Sequence, residues 1–537
     1  MNLTRRITIR FGLIFAVSLL AGALIGPSGA RAQVTAFKQA VAEAASSDRD
    51  IAAFYRQTGY KPIWTGKGNR DRARRKALLK VLNDAELHGL PVSRYKPDEL
   101  LQLMRRAKTP RDLGMVEVAL SQTFLRYARD VQTGMLKPSA IDETIAREVP
   151  YRSRVGYLVN FSKSSPAGYL KSLPPKHAEY RGLMKARLDM ERVIARGGWG
   201  PKVPKGKLEP GDSGNKVVAL RNRLIAMGYM KRSSSKSYDA ALQEAVQKFQ
   251  LMHGLNPDGV AGKGTIAEIN RSPSYRLASI LVAMERQRWM NMDRGKRHVL
   301  VNQADFTARI IDNGKVTFET RAVIGKNIHD QRSPEFSDVM EHMVINPSWH
   351  VPRSIATKEY LPVLQKNPEA VSHLIITDVR GQRIDRAEMD FTQYTETDFP
   401  FDMRQPPSRG NALGRVKFMF PNKHNIYLHD TPHKNLFARE RRAYSHGCIR
   451  LADPFDFAYT LLARQERNPK DYFHKVLKTG VETTVPLKQP IPVHLDYRTA
   501  FVTPKGDVEF RRDVYGRDAK IWKAMQSAGL ALPSVQG

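Results

Sequence analysis

Residues 426–450 read IYLHDTPHKNLFARERRAYSHGCIR and include Cys448, the only cysteine in this 537-residue chain. A chain with one cysteine cannot form an internal disulfide. A lone cysteine is commonly a small apolar residue in a core. It can also be a nucleophile, provided that a base takes its proton. The neighbourhood of Cys448 therefore decides between a packing role and a catalytic role.

The catalytic alternative needs a histidine near the thiol, because imidazole titrates close to working pH. His446 lies two residues before Cys448, and His429 lies nineteen residues upstream on a strand-like run. A residue two positions away in a tight turn points away from the thiol, which favours a partner from across the sheet. We therefore predict His429 as the base and keep His446 as the alternative.

The residues around the cysteine add two features. Gly447 allows the backbone to approach closely, and the amides of His446, Gly447 and Cys448 can converge on an oxyanion that develops during acyl transfer. Asp453 and Pro454 are typical of a helix start, with aspartate as the N-cap and proline in the first turn.

The N-terminus predicts export. Residues 1–32 combine basic residues, an apolar core and the small-residue site Ala30-Arg31-Ala32, a pattern typical of a cleaved signal peptide and a periplasmic protein. Lys and Arg number 87 against 53 Asp and Glu, a net charge of +34, which favours polyanionic partners. We find no nucleic-acid-binding motif and no metal-ligand spacing. We therefore expect no nucleic acid partner, no metal and no cofactor.

The remaining chain predicts an α+β multidomain protein. Its parts are a mainly helical scaffold, a three-helix module, a β-rich domain and a C-terminal tail. Asn313-Gly314 and Lys505-Gly506-Asp507 each predict a hairpin turn within the β-rich domain. Residues 353–411 break its β pattern, carry a helix near 356–365, and predict a cover or a disordered insertion. The predicted bounds are 33–200 (scaffold), 205–272 (module), 275–515 (β-rich domain) and 516–537 (tail).

The 205–272 segment resembles the peptidoglycan-binding three-helix module of wall hydrolases. The resemblance rests on core and turn positions, and Arg221 stands where that family often has glutamine. A helical spacer that binds nothing is the alternative. The matching residues are Gly214, Val217, Leu220, Leu224, Gly228-Tyr229, Ala245-Val246, Phe249-Gln250, His253-Gly254-Leu255, Asp258-Gly259-Val260, Gly262 and Thr265.

The β-rich domain resembles the YkuD-type L,D-transpeptidases. His429, the loop that follows it, and the segment Ser445-His446-Gly447-Cys448-Ile449-Arg450 match the catalytic signature of that family. The resemblance narrows to the large periplasmic YcbB-type branch of murein L,D-transpeptidases. It is carried also by Ile324-Gly325-Lys326, Asn346-Pro347-Ser348-Trp349, Met284 to Trp289, Phe420-Pro421-Asn422 and Tyr427 to Pro432.

This resemblance implies roles for individual residues. Cys448 would be the nucleophile and His429 its base, while Tyr427 and the His446-Gly447-Cys448 backbone would line the oxyanion site. Ser445 and Arg450 would shape the donor pocket, and the 353–411 insertion would be a lid. Asp430 follows the histidine where smaller relatives often carry Gly or Ser. The group that orients His429 is therefore open.

The implied reaction joins peptidoglycan stems without a cofactor. Cys448 would form a thioester with the third residue of a tetrapeptide stem, release D-Ala and pass the acyl group to an amine in a 3→3 cross-link. Such an enzyme serves peptidoglycan biosynthesis and cell shape, and carbapenems are expected to acylate it. The alternatives are a cysteine L,D-carboxypeptidase or endopeptidase, a transpeptidase that anchors a lipoprotein to the wall, and an inert wall-binding protein.

Overall fold

The computed structural model describes residues 28–532, with side chains from Ala36 onward. The predicted signal peptide, 1–32, lies outside this range except for its last five positions, which begin the first helix. Residues 533–537 also lie outside it. Within the described range no helix is long and apolar enough to cross a membrane.

The described chain divides into two compact units. The first contains the described residues up to 72 together with 98–122, and the second contains 73–97 and the rest of the chain from 123. The helices over the predicted scaffold are α1 (Ser28–Ala45), α2 (Arg49–Gln57), α3 (Asn69–Asn83), α4 (Pro97–Arg106), α5 (Pro110–Thr133), α6 (Pro138–Ile141), α7 (Arg154–Lys163), α8 (Pro166–Ser172) and α9 (Ala178–Ala195).

A buried carboxylate organises the first unit. Glu117 is fully buried and accepts hydrogen bonds from the backbone amides of Ile63, Trp64 and Thr65 and from the Tyr55 hydroxyl. Burial nevertheless raises the pKa of Glu117, because desolvation of the charge outweighs these donors. The single side chain therefore holds the non-helical turn at 63–65.

The three-helix module packs around α10 (Asn215–Ala226), α11 (Ala240–Met252) and α12 (Lys263–Ile269). Its core includes Leu220, Leu242 and Phe249, which the helical spacing places on facing sides. Arg221, the residue that departs from the family pattern, is fully buried. Its guanidinium donates to the Ser237 carbonyl and the Asp239 carboxylate and so ties α10 to the start of α11.

The β-rich domain begins with α13 (Pro273–Trp289) and, within residues 28–532, contains a sheet of nine strands in the order β10-β3-β11-β9-β8-β4-β12-β1-β2. Because β2 also pairs with β3, eight of these strands close into a barrel and β10 attaches to it through β3. The strands are β1 (Arg297–Asn302), β2 (Thr307–Asp312), β3 (Lys315–Gly325), β4 (Phe336–Ile345), β8 (Val416–Met419), β9 (Leu428–His429), β10 (Ala443–Ser445), β11 (Ile449–Leu451) and β12 (Thr483–Asp496).

Local sequence determines two of the turns. Asn313 and Gly314 join β2 to β3 with φ values of 50° and 79°, as expected for a two-residue hairpin, so that prediction is confirmed. The second predicted hairpin is also confirmed, between β13 (Ala500–Val502) and β14 (Val508–Phe510). Helices α16 (Pro454–Leu462) and α17 (Pro469–Lys478) pack against the sheet, and Phe457 and Phe473 belong to its core.

The 353–411 insertion is folded. It contributes to a three-stranded sheet of β5 (Trp349–His350), β7 (Asp402–Gln405) and β6 (Ile375–Thr377), and to an apolar core that includes Phe391, Phe399 and Met403. The helix predicted near 356–365 is present in three pieces: α14 (Arg353–Ile355), a π-helical turn (Ala356–Tyr360) and α15 (Leu361–Leu364).

The predicted C-terminal tail, 516–537, contains a packed helix. Helix α18 (Arg517–Ser527) buries Ile521 and Met525, and its first residue, Arg517, is fully buried. The guanidinium of Arg517 bonds the Glu335 carboxylate at 3.2 Å and the Ser333 carbonyl at 2.8 Å. Together with the scaffold helices, the module and the barrel, these elements confirm the predicted α+β multidomain class.

Candidate active site

Parallel pairing of β9 with β11 places four predicted site residues on one face. Arg450 lies opposite His429 in the ladder, and Ile449 donates its amide to the Tyr427 carbonyl. Because side chains alternate along a strand, Tyr427 and His429 share a face with Cys448 and Arg450. Leu428 and Ile449 face the other way and are fully buried in the barrel core.

The predicted nucleophile loop, residues 445–448, depends on a glycine and two hydroxyls. Gly447 has a φ of 116°, and a Cβ there would lie 3.2 Å from Ile426 Cδ1, so the position favours glycine. The Ser445 hydroxyl donates to the Cys448 carbonyl at 2.5 Å and accepts from the Gly447 amide at 3.3 Å. The Ser333 hydroxyl donates to the Gly447 carbonyl at 2.6 Å.

These contacts bear on two sequence predictions. Ser445 is buried and braces the loop from within. Of the amides expected to converge on an oxyanion, that of Gly447 already has the Ser445 hydroxyl as its acceptor. Asp453 occupies the N-cap position of α16 and Pro454 lies in its first turn, so that prediction is confirmed. The Asp453 carboxylate accepts from the Thr320 hydroxyl at 2.8 Å and makes no cap hydrogen bond.

The Cys448 thiol is protonated at neutral pH. Burial raises the pKa of Cys448 to about 11, although hydrogen bonding by the Tyr427 backbone and hydroxyl and the charge of Arg450 lower it. The thiol donates to the Asn425 carbonyl at 3.6 Å. Attack on a substrate therefore requires a base that removes the proton at that moment.

His429 is held in the tautomer that can act as a base. Its Nδ1 lies 2.5 Å from the Asp430 carbonyl, which can only accept, so Nδ1 carries the proton and Nε2 keeps its lone pair. Burial lowers the pKa of His429 to about 3, and the charge of Arg450 acts in the same direction. The imidazole is thus neutral at physiological pH. Within residues 28–532 the structure has no direct hydrogen bond between His429 and Cys448.

The structure also answers which group orients His429. Backbone carbonyls do so: that of Asp430 contacts Nδ1, and that of Leu413 also acts on the imidazole. The buried Asp430 carboxylate instead accepts from the Arg415 and Thr431 amides and from Lys434 Nζ, at 2.7–2.8 Å. Asp430 therefore joins the histidine strand to the chain that returns from the 353–411 insertion. The ring of Tyr427 packs edge-on against that of His429, with centroids 5.6 Å apart.

Arg450 is a cation without a counterion. Within the described part of the chain no carboxylate forms an ion pair with it, and its buried Nε has no hydrogen-bond partner. Burial lowers the pKa of Arg450, as expected for an unneutralised charge. A guanidinium of this kind on the nucleophile's face is suited to bind a substrate carboxylate.

His446 points to the insertion. Its Nε2 contacts the Glu359 carboxylate, which lies on the π-helical turn. The Nε2 atom of His446 is therefore engaged by the insertion. A second link is Tyr427, which packs against both the barrel core and the core of the insertion.

Sequence reasoning missed the support behind the loop. Ser333, which holds Gly447, also accepts from the Gly325 amide, and its own amide donates to the Tyr515 hydroxyl. Tyr515 donates in turn to the Gly325 carbonyl at 2.7 Å. No local motif marks these residues, since Ser333 and Tyr515 lie far from Cys448 in sequence. The sequence signal nearest to this support was Ile324-Gly325-Lys326, a segment of the family resemblance, because Gly325 bonds both Ser333 and Tyr515.

Comparison with known families matches three segments of the chain. Residues 296–485 match an L,D-transpeptidase catalytic domain, YkuD. Residues 213–269 match a putative peptidoglycan binding domain, and residues 49–186 match a scaffold domain. The three matches lie in the β-rich domain, the three-helix module and the helical N-terminal region.

A curated relative from Haemophilus influenzae, named "Putative L,D-transpeptidase", is 29% identical over 242 residues. The match covers 45% of this chain and 48% of that protein, so the chain spans about half the length of this relative.

Two solved structures are also similar. An L,D-transpeptidase fragment from Xylanimonas cellulosilytica is 14% identical, covers 55% of this chain and 98% of its own, and has a TM-score of 0.18. An L,D-transpeptidase from Stackebrandtia nassauensis is 14% identical, with coverages of 56% and 98% and a TM-score of 0.22. The family matches show that the chain carries a YkuD-type L,D-transpeptidase catalytic domain together with a peptidoglycan-binding domain.

Proposed function

We propose that this protein is a periplasmic L,D-transpeptidase that forms 3→3 peptidoglycan cross-links through a thioester on Cys448. The proposal is supported by the shared face of β9 and β11, where the Cys448 thiol, a neutral imidazole and a guanidinium with no ion pair among residues 28–532 lie together. A thioester splits one amide exchange into two easier steps and uses only groups of the chain.

In the first step His429 Nε2 takes the thiol proton as Sγ attacks the carbonyl carbon of the third stem residue. A C–S bond forms, the C–N bond to the terminal D-Ala breaks, and the proton passes to the departing amine. The Arg450 guanidinium holds a carboxylate of the donor stem, because no side chain of the described chain neutralises it. The hydroxyl of Tyr427 faces the developing charge from the same side as the sulfur.

In the second step an acceptor amine attacks the thioester carbonyl. A C–N bond forms, the C–S bond breaks, and the proton of the amine returns to sulfur by way of His429. Water competes with the amine for the same carbonyl. Exclusion of water therefore decides between cross-linking and hydrolysis.

The 353–411 insertion serves as the lid in this proposal. Three contacts support that role: Glu359 with His446, Tyr427 with the insertion core, and Lys358 Nζ with Asp330 at 3.4 Å. Each joins the insertion to a segment that surrounds the nucleophile or to the loop before Ser333. The lid would cover the donor stem after it binds.

The decisive experiment incubates the purified chain with disaccharide tetrapeptide and follows products by mass spectrometry. We expect a covalent adduct that has lost D-Ala, followed by 3→3 dimers, and neither product with Cys448→Ala. A meropenem adduct that disappears in Cys448→Ser would extend the test to carbapenems.

Other outcomes separate the alternatives. Tripeptide without dimers would indicate an L,D-carboxypeptidase. Transfer to a lysine-ended acceptor alone would indicate lipoprotein attachment. Dimers formed by the Cys448→Ala variant, or a folded wild type that forms no adduct, would overturn the proposal.

A further inference from the structure

A segment of the scaffold reaches the support behind the nucleophile loop. Residues 142–147, which follow α6, lie within the region that matches a scaffold domain. Ile145 is fully buried and forms a parallel β-bridge with Glu335, and the Glu335 amide donates to the Thr144 carbonyl at 2.8 Å. The scaffold chain therefore runs beside the residues that precede β4, two positions from Ser333.

The three residues 333–335 are bound from several distant parts of the chain. The Ser333 carbonyl accepts from Arg517, and the Pro334 carbonyl accepts from Gln303 Nε2, each at 2.8 Å. Arg517, Gln303 and Ser333 are all fully buried. Buried polar groups that all have partners hold a segment in one arrangement. The segment is therefore a rigid base for the Ser333 hydroxyl.

Thr144 takes part in this support through Arg517. The Thr144 hydroxyl oxygen accepts from Arg517 Nη2 at 2.7 Å and from Nε at 3.1 Å. The same Nη2 donates to the Ser333 carbonyl, and Nη1 contacts the Glu335 carboxylate at 3.2 Å. Because a guanidinium is planar and rigid, an acceptor that fixes one edge also sets the direction of the other donors. The Thr144 hydroxyl thus helps to set where Arg517 holds Ser333.

The Ser333 hydroxyl in turn fixes the peptide plane next to the nucleophile. It donates to the Gly447 carbonyl at 2.6 Å. In a trans peptide the carbonyl and the following N–H point in opposite directions, so this bond also sets the direction of the Cys448 amide. Within residues 28–532 that amide donates to no group of the chain. It is therefore free to donate to the oxyanion that forms when Sγ attacks a carbonyl.

We infer that Thr144 is a positioning residue for acyl transfer by Cys448. Through Arg517 and Ser333 it orients the Cys448 amide toward the oxyanion. The inference rests on the proposed function, in which Cys448 attacks a stem carbonyl. It gives the scaffold a part in catalysis, because a scaffold hydroxyl begins a continuous run of hydrogen bonds that ends at the Gly447 carbonyl.

Two reactions of the same thiol separate this role from a general loss of structure. Acylation by disaccharide tetrapeptide forms an oxyanion, whereas alkylation by iodoacetamide displaces iodide and forms none. Thr144→Val replaces the hydroxyl by a methyl group of similar size. It should lower the saturated rate of acylation about ten-fold, with the half-saturating concentration unchanged, and should change the rate of alkylation less than two-fold. The loss is smaller than the roughly 10²–10³-fold cost of a deleted oxyanion donor, because the amide is turned and not removed.

Two control variants accompany the test. Thr144→Ser keeps the hydroxyl and should acylate within two-fold of the unmutated chain. Thr133→Val is the matched control, because Thr133 is a buried scaffold threonine whose hydroxyl donates to the Arg129 carbonyl of its own helix. It should leave both reactions unchanged. All rates are measured in buffer where urea titration shows each variant to be folded.

A milder variant tests the same segment without a buried substitution. Lys520 Nζ donates to the Asp142 carboxylate at 2.7 Å from a half-exposed side chain, and that carboxylate accepts from the Thr144 amide at 3.0 Å. Lys520→Met therefore loosens the turn that carries Thr144. It should slow acylation about two- to three-fold, as the loss of a partly exposed ion pair permits, and leave alkylation unchanged.

Failure of this inference is distinguishable from failure of the proposed function. Equal losses of acylation in Thr144→Val and Thr133→Val, proportional losses of acylation and alkylation, or no rescue in Thr144→Ser would each overturn the inference. An acylating chain in which Thr144→Val and Lys520→Met keep the full rate would refute the inference alone. An unmutated chain that forms no adduct with the tetrapeptide would refute the proposed function.

Discussion

The nucleophile loop and the insertion that faces it are held by different forces. The loop is braced by hydrogen bonds of Ser445 and Ser333, both buried, to its own backbone. The insertion has a separate core and reaches the nucleophile segment through a pair whose side chains are 27% and 41% exposed, His446 and Glu359. Buried hydrogen bonds are costly to leave unmade, whereas exposed ion pairs contribute about 0–1 kcal/mol. The loop is thus held by buried hydrogen bonds, whereas the ion pair between His446 and the insertion is weak.

The largest effect is expected from removal of the predicted base. His429→Ala should lower the rate of acylation by tetrapeptide about 10²–10⁴-fold, the usual contribution of a general base. His446→Ala is the comparison variant and should act on the lid contact instead. The measurement is single-turnover mass spectrometry of the adduct. If His446→Ala has the larger effect on adduct formation, the assignment of the base is wrong.

The pH dependence of the thiol tests whether a preformed thiolate exists. Since burial raises the pKa of Cys448 to about 11, the thiolate fraction should rise about ten-fold per pH unit up to that value. Iodoacetamide labelling of the folded chain should therefore accelerate about 100-fold from pH 7 to pH 9. The labelling rate of the chain unfolded in urea should level off near pH 9. A plateau near neutral pH in the folded chain would contradict a protonated resting thiol.

Removal of the Ser333 hydroxyl behind the loop should lower the stability of the fold. Ser333→Ala leaves the Gly447 carbonyl and the Gly325 amide without their buried partner, which should cost about 1–3 kcal/mol of unfolding free energy. Urea denaturation measures this cost. Ser234→Ala, at an exposed serine of the module, is the control and should change nothing measurable. Equal stability of the two variants would show that the brace is unimportant.

The smallest effect is expected on the cover. Glu359→Gln keeps the shape of the side chain and removes its charge, so the contact with His446 weakens by at most about 1 kcal/mol. Hydrolysis of the acyl-enzyme should increase relative to amine transfer by no more than about five-fold, as that energy permits. Glu388→Gln, an exposed position of the same insertion, is the control. If Glu359→Gln instead slows acylation and leaves the ratio of hydrolysis to amine transfer unchanged, Glu359 acts in binding of the donor stem.

Several features of the protein follow from its sequence alone. The Asn313-Gly314 turn, the helical periodicity around Leu220 and Phe249, and the α+β class depend on local spacing and on φ preferences, which short segments determine by themselves. The resemblance carried by the Cys448 segment also led to the catalytic family that the comparison finds over 296–485. The roles of Cys448 and His429 remain predictions that the experiments above address.

The support of the site depends on contacts between segments that are distant in sequence. Parallel pairing of β9 with β11 aligns His429 with Arg450, and a ladder register between strands distant in sequence is set by the packing of the whole barrel. Two further contacts are likewise long-range hydrogen bonds: Ser333 with Gly447, and Arg517 with Ser333. The contact of His429 with the neighbouring Asp430 carbonyl depends on the backbone geometry at that point of the barrel. The reason is physical: a buried polar group takes whichever partner the fold brings within about 3 Å, and no local pattern encodes that partner.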